Sequence, residues 1–482
     1  MFSYACDKDA GLFPILQLQY IFPAPIPLIR RAGRACYGFV PGTSCDTSRH
    51  LVHERGEHGL KQRVEQWMWR IATGLVIPMP VLLLYALAPA EIVMTVVAVL
   101  FVTHGFLTRH WNWLRQPWIC AAGLLWGQII LSSIITGRGH AIVQAACFGR
   151  YFLFIAALQA WILPGARVRA VLARVYGGVA IWLVAGCWQQ YIWGRNIWGY
   201  GRWADGALLG PLWAPRVGSG LFMTALPGLF PTAIRLSQRD GARGRIMAAA
   251  MLLGLVLTMV LVAQRMPLFL MLGGMGIVGL LVPRLRGGLV AVLLLGAGGV
   301  ALSPVLAPQA YHKLVVNFIA HMHAFADSPY GMLFIRAGVM IGRHPWFGLG
   351  FDGFRHACPD PAYFHGLPWL GVAEGPHGGA TGCNLHPHNY YLLMGTMGGI
   401  PAMGLFIALA VCLLVSIWTG IVPTRDSQRL MVAIVATLVF WPVASNSSLL
   451  TQPAAGWLSM ITGWALAVSP VASRLQYVHG GD

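Results

Sequence analysis

Residues 389–416 read NYYLLMGTMGGIPAMGLFIALAVCLLVS, a stretch with no Asp, Glu, Lys or Arg. As a helix it would rise about 1.5 Å per residue, long enough to cross the ~30 Å hydrocarbon core of a bilayer. Working outward, further apolar runs predict spans at 71–88, 91–107, 117–135, 141–163, 171–193, 217–234, 246–263, 266–282, 288–303, 430–446 and 454–470. The expected fold is all-α, a polytopic membrane protein with about 12 transmembrane helices.

Composition agrees. The chain is 57% hydrophobic and 10% charged, with a mean hydropathy of +0.64, whereas soluble domains carry roughly 25% charged residues. A net charge of +18 could suggest nucleic acid, but no basic domain interleaved with aromatics accompanies it. Nucleic acid is therefore excluded as a partner, and membrane lipids are expected instead. Six of the fifteen acidic residues (Asp7, Asp9, Asp46, Glu54, Glu57 and Glu65) precede the first apolar run. The others fall in loops or at predicted helix ends, which argues against an ion-coupled transporter with carboxylates inside the bilayer.

Charge placement sets the orientation. With the N-terminus inside, the short cytoplasmic segments hold fourteen Arg, from Arg109 and Arg115 to Arg429 and Arg474. The other face holds nine Lys or Arg over far more residues (Arg138, Arg195, Arg202, Arg216, Arg265, Lys313, Arg336, Arg343 and Arg355). The positive-inside rule then puts both termini in the cytoplasm and the 304–388 loop, between helices 9 and 10, outside the cytoplasm. Four regions result: 1–66, a cytoplasmic extension expected to be disordered; 67–303, helices 1–9; 304–388, the loop subdomain; and 389–482, helices 10–12. Translation starting later, for instance at Met68, is an alternative account of the extension.

Long ordered loops tend to be functional. This one carries nine His, Trp346 and Trp369, and its clearest amphipathic helix is expected over Met332 to Arg343. Of nine cysteines only Cys358 and Cys383 share it, as a disulfide or as two free thiols. Cys120, Cys147, Cys187 and Cys412 lie in spans and read as small apolar packers.

The loop ends in Leu385-His386-Pro387-His388-Asn389-Tyr390-Tyr391-Leu392, followed by Gly399-Ile400-Pro401-Ala402-Met403-Gly404. This pattern resembles the O-antigen ligase and O-antigen polymerase superfamily, whose members carry a His-Asn pair followed at this distance by a Gly-x-x-Gly element; the second glycine is Ala402 here. Arg216-Val217-Gly218-Ser219-Gly220 resembles the family's arginine-led glycine turn entering a helix. Gln264-Arg265-Met266-Pro267-Leu268 resembles its outward-facing Arg at a helix junction, with Phe269 where Leu is usual. His344-Pro345-Trp346-Phe347-Gly348-Leu349-Gly350-Phe351 resembles the turn before its active loop. The segments occur in family order over residues 210 to 405, roughly half the chain.

The resemblance implies transfer of a glycan from undecaprenyl diphosphate to a lipid A-core sugar hydroxyl in a bacterial inner membrane, with no metal and no cofactor. Arginine suits a departing diphosphate, because its planar fork bonds phosphate oxygens bidentately and stays charged. Arg216 and Arg265 are thus the expected donor diphosphate ligands. Imidazole titrates near neutrality, so His388 is the expected general base, with Asn389 orienting the loop or capping the following helix. Arg336 and Arg343 are weaker candidates, since a charge on a surface helix is usually solvated. Arg150, the one charge well inside a span, either extends the diphosphate site or bonds neighbouring carbonyls.

Each position also admits a structural reading. Arginines at membrane boundaries anchor helix ends, and a histidine can simply be satisfied at a helix N-terminus. A metal site is not expected, because no pair shows His-x-x-x-His spacing and Pro387 separates His386 from His388. Two other activities stay open: an O-antigen or exopolysaccharide polymerase with the same donor chemistry, and a transporter or flippase of an anionic or lipid-linked solute.

Overall fold

The computed structural model describes residues 45–239, 241–368, 379–422, 426–444 and 448–469. Met1–Arg63 and Val64–Asp482 form two units; the packing, contacts and site described below are those of the second. Every regular element among the described residues is helical. In order these are α1 Cys45–Val76, α2 Met79–Tyr85, α3 Leu87–Thr108, α4 Pro117–Ile135, α5 Gly139–Phe148, α6 Arg150–Ala157, α7 Ala166–Trp193, α8 Val217–Gly228, α9 Phe230–Arg239, α10 Gly241–Val262, α11 Arg265–Leu281 and α12 Arg286–Leu306. There follow α13 Pro308–Tyr311, α14 Asn317–His323, α15 Pro329–Arg343, α16 Gly353–Ala357, α17 Tyr390–Trp418, α18 Ser427–Val439 and α19 Ala454–Ala467.

Among the described residues eight helices are long and apolar enough to cross a membrane, or nine if the bent pair of α1 and α2 is one span. The protein is a helical, multi-pass membrane protein. Of the twelve spans the sequence predicted, α11, α18 and α19 are shorter helices of 17, 13 and 14 residues among the described residues, short of the ~20 a perpendicular crossing needs. Proline accounts for much of the interruption, because it lacks an amide donor and crowds the preceding turn. Pro78 and Pro80 stand where α1 and α2 break with a 44° bend. Pro442 lies three residues past α18. The predicted 141–163 span is present as one 24-residue run, Gly139–Ile162, with a turn at Gly149, where a Cβ would stand 2.7 Å from the Trp126 ring.

α1 begins at Cys45, so residues 45–66 are helical where a disordered extension was expected; residues 1–44 lie outside the described residues. The main core runs through the helical body, with Trp118, Phe154, Tyr176, Phe222 and Trp464 fully buried. α7 and α8 meet backbone to backbone, since a Cβ on Gly228 would sit 2.4 Å from Gly177 N. Such close approach by small residues is how helices pack where lipid is as apolar as a side chain.

Several arginines of the face read as cytoplasmic also terminate helices. Arg286 donates to the Gly279 and Leu280 carbonyls at 2.9 Å each, and Arg429 donates to those of Gly420, at 2.8 Å, and Thr419. Carbonyls of a last helical turn have no partner within the helix, so these cations serve the fold as well as the charge bias. On the face that carries the 304–388 loop, Trp193, Trp198, Trp203, Trp213, Trp346 and Trp441 are exposed, as in the aromatic belts of membrane interfaces.

The loop has a hydrophobic core of its own: Leu333, Ile335, Val339 and Met340 of α15 pack with Phe354, Cys358, Tyr363 and Leu367. The expected amphipathic helix is therefore present, and it starts three residues earlier, at Pro329. Ser328 sets that start, its Oγ accepting from the Gly331 amide at 3.1 Å. Cys358 and Cys383 are bridged, with Cα atoms 5.7 Å apart, which decides between the two readings of that pair.

Candidate functional site

Two helix N-termini are tied together on the face that bears the loop. Arg216 caps α8 and Arg265 opens α11. Gln264, one residue before Arg265, donates its side-chain amide to the carbonyl of Pro215, one residue before Arg216, at 2.7 Å. Its Oε1 lies against Gly218, where a Cβ would meet it at 2.4 Å. A side chain at Gly218 would thus have to displace the Gln264 amide that joins the two arginine segments. Both helices direct the positive ends of their dipoles to this place, which favours an anion there.

Arg265 Nη1 lies 3.2 Å from His321 Nδ1 on α14. Guanidinium only donates, so Nδ1 accepts. Burial first, and the Arg265 charge second, hold the His321 pKa below its usual value, keeping this ring neutral beside the cation. Sequence reading counted His321 among the loop histidines without assigning it a role.

At the end of the loop, Asn389 caps α17: its Oδ1 accepts from the Tyr391 and Leu392 amides at 2.9 and 3.1 Å. Its Nδ2 donates to the Pro442 carbonyl at 2.7 Å, tying α17 to the segment after α18. Of the two expected roles for Asn389, capping is realised. His388, the residue before it, adopts a left-handed backbone with φ of 53°, uncommon for a residue with a Cβ. Its ring is 4.2 Å from that of His386, centroid to centroid, and meets Tyr330 of α15 edge to face at 5.5 Å. Pro387 therefore does not hold the two histidines apart, as its position suggested. Two neighbouring helices of the loop meet these segments: α14 places His321 against Arg265, and α15 places Tyr330, nine residues on, against His388.

The Gly-x-x-Gly element is a joint. At Gly398 and Gly399 the α17 backbone leaves helical geometry, with φ of 71° at Gly399, and the 345–351 turn docks there. Leu349 and Gly350 donate to the Thr396 and Met397 carbonyls at 2.8 and 2.9 Å, and Ile400 donates to Pro345 O at 2.7 Å. A Cβ on Gly399 would stand 2.3 Å from Pro345 O, and one on Gly348 2.6 Å from the Met397 carbonyl carbon. Gln128 of α4 closes the joint, donating to the carbonyls of Trp346 and Gly398 at 3.0 Å each. Ala402 is fully buried, with Gly398 against its methyl group.

Arg336 is not a solvated surface charge, as expected for its helix, but is 2% exposed. It donates to Cys358 O at 2.6 Å and Gly379 O at 3.0 Å, approaches Cys383 Sγ at 3.1 Å, and lies 4.1 Å over the Phe364 ring. Burial lowers its pKa. These contacts clamp the disulfide and the loop core, so Arg336 supports the site through the subdomain.

Arg150 starts α6 and pairs with Glu91 of α3. Glu91 also accepts from Tyr151 at 2.6 Å and from Gln452 at 2.5 Å. This cluster corrects two sequence readings: a carboxylate does lie within a membrane-length helix, and Arg150 has a carboxylate partner as well as the Cys147 carbonyl at 2.9 Å. It is a helix-to-helix tie in which the Arg150 cation is balanced by the Glu91 carboxylate.

Comparison of the chain with protein-family models and with curated proteins returned no match.

Proposed function

We propose that this protein is a lipid-linked oligosaccharide glycosyltransferase of the O-antigen ligase type, moving a glycan from undecaprenyl diphosphate to a lipid A-core hydroxyl at the periplasmic face of a bacterial inner membrane. In this reading α11, α18 and α19 complete twelve spans by tilting or by local thinning of the bilayer. The observation that carries the proposal is the Gln264 tie between Pro215 and the Arg265 segment, which joins two arginine-bearing helix N-termini on the face where the His388 loop ends. Arg216 and Arg265 hold the donor diphosphate and stabilise its charge as it leaves. His388 takes the proton of the acceptor hydroxyl as the oxygen attacks the anomeric carbon. The chemistry of this route uses no metal and no cofactor.

The test is transfer by the purified protein in nanodiscs, with a polyprenyl diphosphate glycan and lipid A-core as substrates. Core carrying the glycan supports the ligase reading. Growth of the glycan on its carrier instead means a polymerase, and movement of lipid-linked glycan between leaflets without transfer means a flippase.

A further inference from the structure

His388 is held by Asn384 at its ring and by His386 at its backbone, and the Asn384 bond fixes which ring nitrogen is basic. Asn384 Oδ1 accepts from the Leu385 amide at 2.7 Å, and that bond sets the orientation of the Asn384 side chain. Its NH2 group therefore faces His388 Nε2, 3.1 Å away. An amide nitrogen only donates, so Nε2 presents its lone pair, and in the neutral ring the proton is on Nδ1.

His386 fixes the backbone. Its Nδ1 accepts from the His388 amide at 3.2 Å, which helps hold the left-handed conformation at His388, a geometry that persists only where its surroundings enforce it. Burial, with His388 beside it, keeps His386 uncharged, its pKa pushed down to about 3. A neutral His386 with Nδ1 accepting carries its proton on Nε2.

We propose that Nε2 of His388 is the proton-accepting atom of the site, that Asn384 is a positioning residue presetting it, and that the acceptor hydroxyl enters by replacing the Asn384 amide as the donor to Nε2. This rests on His388 being the general base. In the step that follows, the acceptor O–H bond breaks and its proton goes to Nε2, while the oxygen bonds the anomeric carbon. The bond from that carbon to the diphosphate breaks with its electron pair staying on the leaving undecaprenyl diphosphate.

The readout is carbethoxylation of His388 by diethylpyrocarbonate against pH, followed by peptide mass mapping of the full chain, with the Cys358–Cys383 bridge as the check on folding. The reagent attacks unprotonated imidazole and needs no turnover. Among the described residues, His386 of its own loop and Tyr330 of α15 are titratable groups in contact with the ring. Asn384→Ala uncovers Nε2 and is expected to speed modification of His388 several-fold. Asn384→Asp puts a carboxylate against the ring and is expected to raise its midpoint by roughly one unit or more, with the acid limb of transfer moving by the same amount and activity recovering at higher pH. A merely structural loss would lower transfer at all pH. Unchanged modification in both variants overturns the assignment and leaves the general base standing. A shifted midpoint that transfer ignores overturns entry of the acceptor at Nε2 and removes His388 from catalysis. If the Asp variant loses its bridge, the modification rate of Asn384→Ala decides alone.

Discussion

Gln264 donates to the carbonyl of Pro215 at 2.7 Å, so two residues 49 apart in sequence bring the N-termini of α8 and α11 together. Arg216 and Arg265 each follow a partner in that bond, which makes the spacing of the two cations a property of the backbone.

Removing either cation should weaken donor use first. Arg216→Ala and Arg265→Ala each lose charge-assisted bonds worth about 1.5–3 kcal/mol, a fall of roughly ten- to hundredfold in kcat/KM for the lipid-linked donor. KM for the acceptor should change little. Gly218→Val, which drives a side chain into Gln264 Oε1, should reproduce the defect with both arginines present. Donor titrations check this, and unchanged donor dependence in all three variants contradicts the diphosphate assignment.

The joint between the 345–351 turn and α17 should be intolerant of side chains. Gly399→Val combines a positive φ with a 2.3 Å approach to Pro345 O, and strain of this kind costs on the order of 1–3 kcal/mol before any clash. Limited proteolysis should cut the loop of this variant faster than that of the wild type, with transfer reduced in proportion. Equal cleavage rates would mean that the joint does not hold the loop.

The clamp at Arg336 should depend on the disulfide. Cys358→Ser with Cys383→Ser removes a crosslink between residues 25 apart, worth about 2–4 kcal/mol, and should lower the thermal midpoint of the loop more than that of the helical body. Arg336→Leu should act on the same region. Alkylation with and without reductant gives the direct check: a mass difference is expected in the wild type and none in the double variant.

Acid should loosen the end of the loop. His386 is neutral in the fold down to about pH 3, whereas the unfolded imidazole has a pKa of 6.5. Between those values the unfolded chain binds the extra proton, so stability falls as pH drops below about 6.5, and the loss is complete near pH 3. His386→Asn should flatten this dependence in hydrogen exchange of residues 384–392. A slope equal to that of the wild type would assign it to another group.

Much of the fold was legible because bilayer crossing has a simple signature. The apolar runs located the helical regions, and arginine-rich turns such as those of Arg286 and Arg429 fall on one face. Helix ends were less legible: 17 residues at α11 and 13 at α18 depend on prolines and on turns that pack only in three dimensions. Arg216, Arg265 and His388 were singled out by the order of their motifs, and the fold adds the neighbours that hold them. Gln264 and Asn384 were not, because a side-chain amide shows its role only by what it faces. Glu91 was placed at a helix end, and only the fold puts Arg150 opposite it.

The most direct measurement is transfer by His388→Ala in nanodiscs at saturating donor and acceptor, beside wild type, with the Cys358–Cys383 bridge and thermal midpoint followed in the same samples. Loss of transfer by about a hundredfold or more, with bridge and midpoint unchanged, is the predicted result. Transfer at the wild-type rate in an intact variant would contradict the account at its centre.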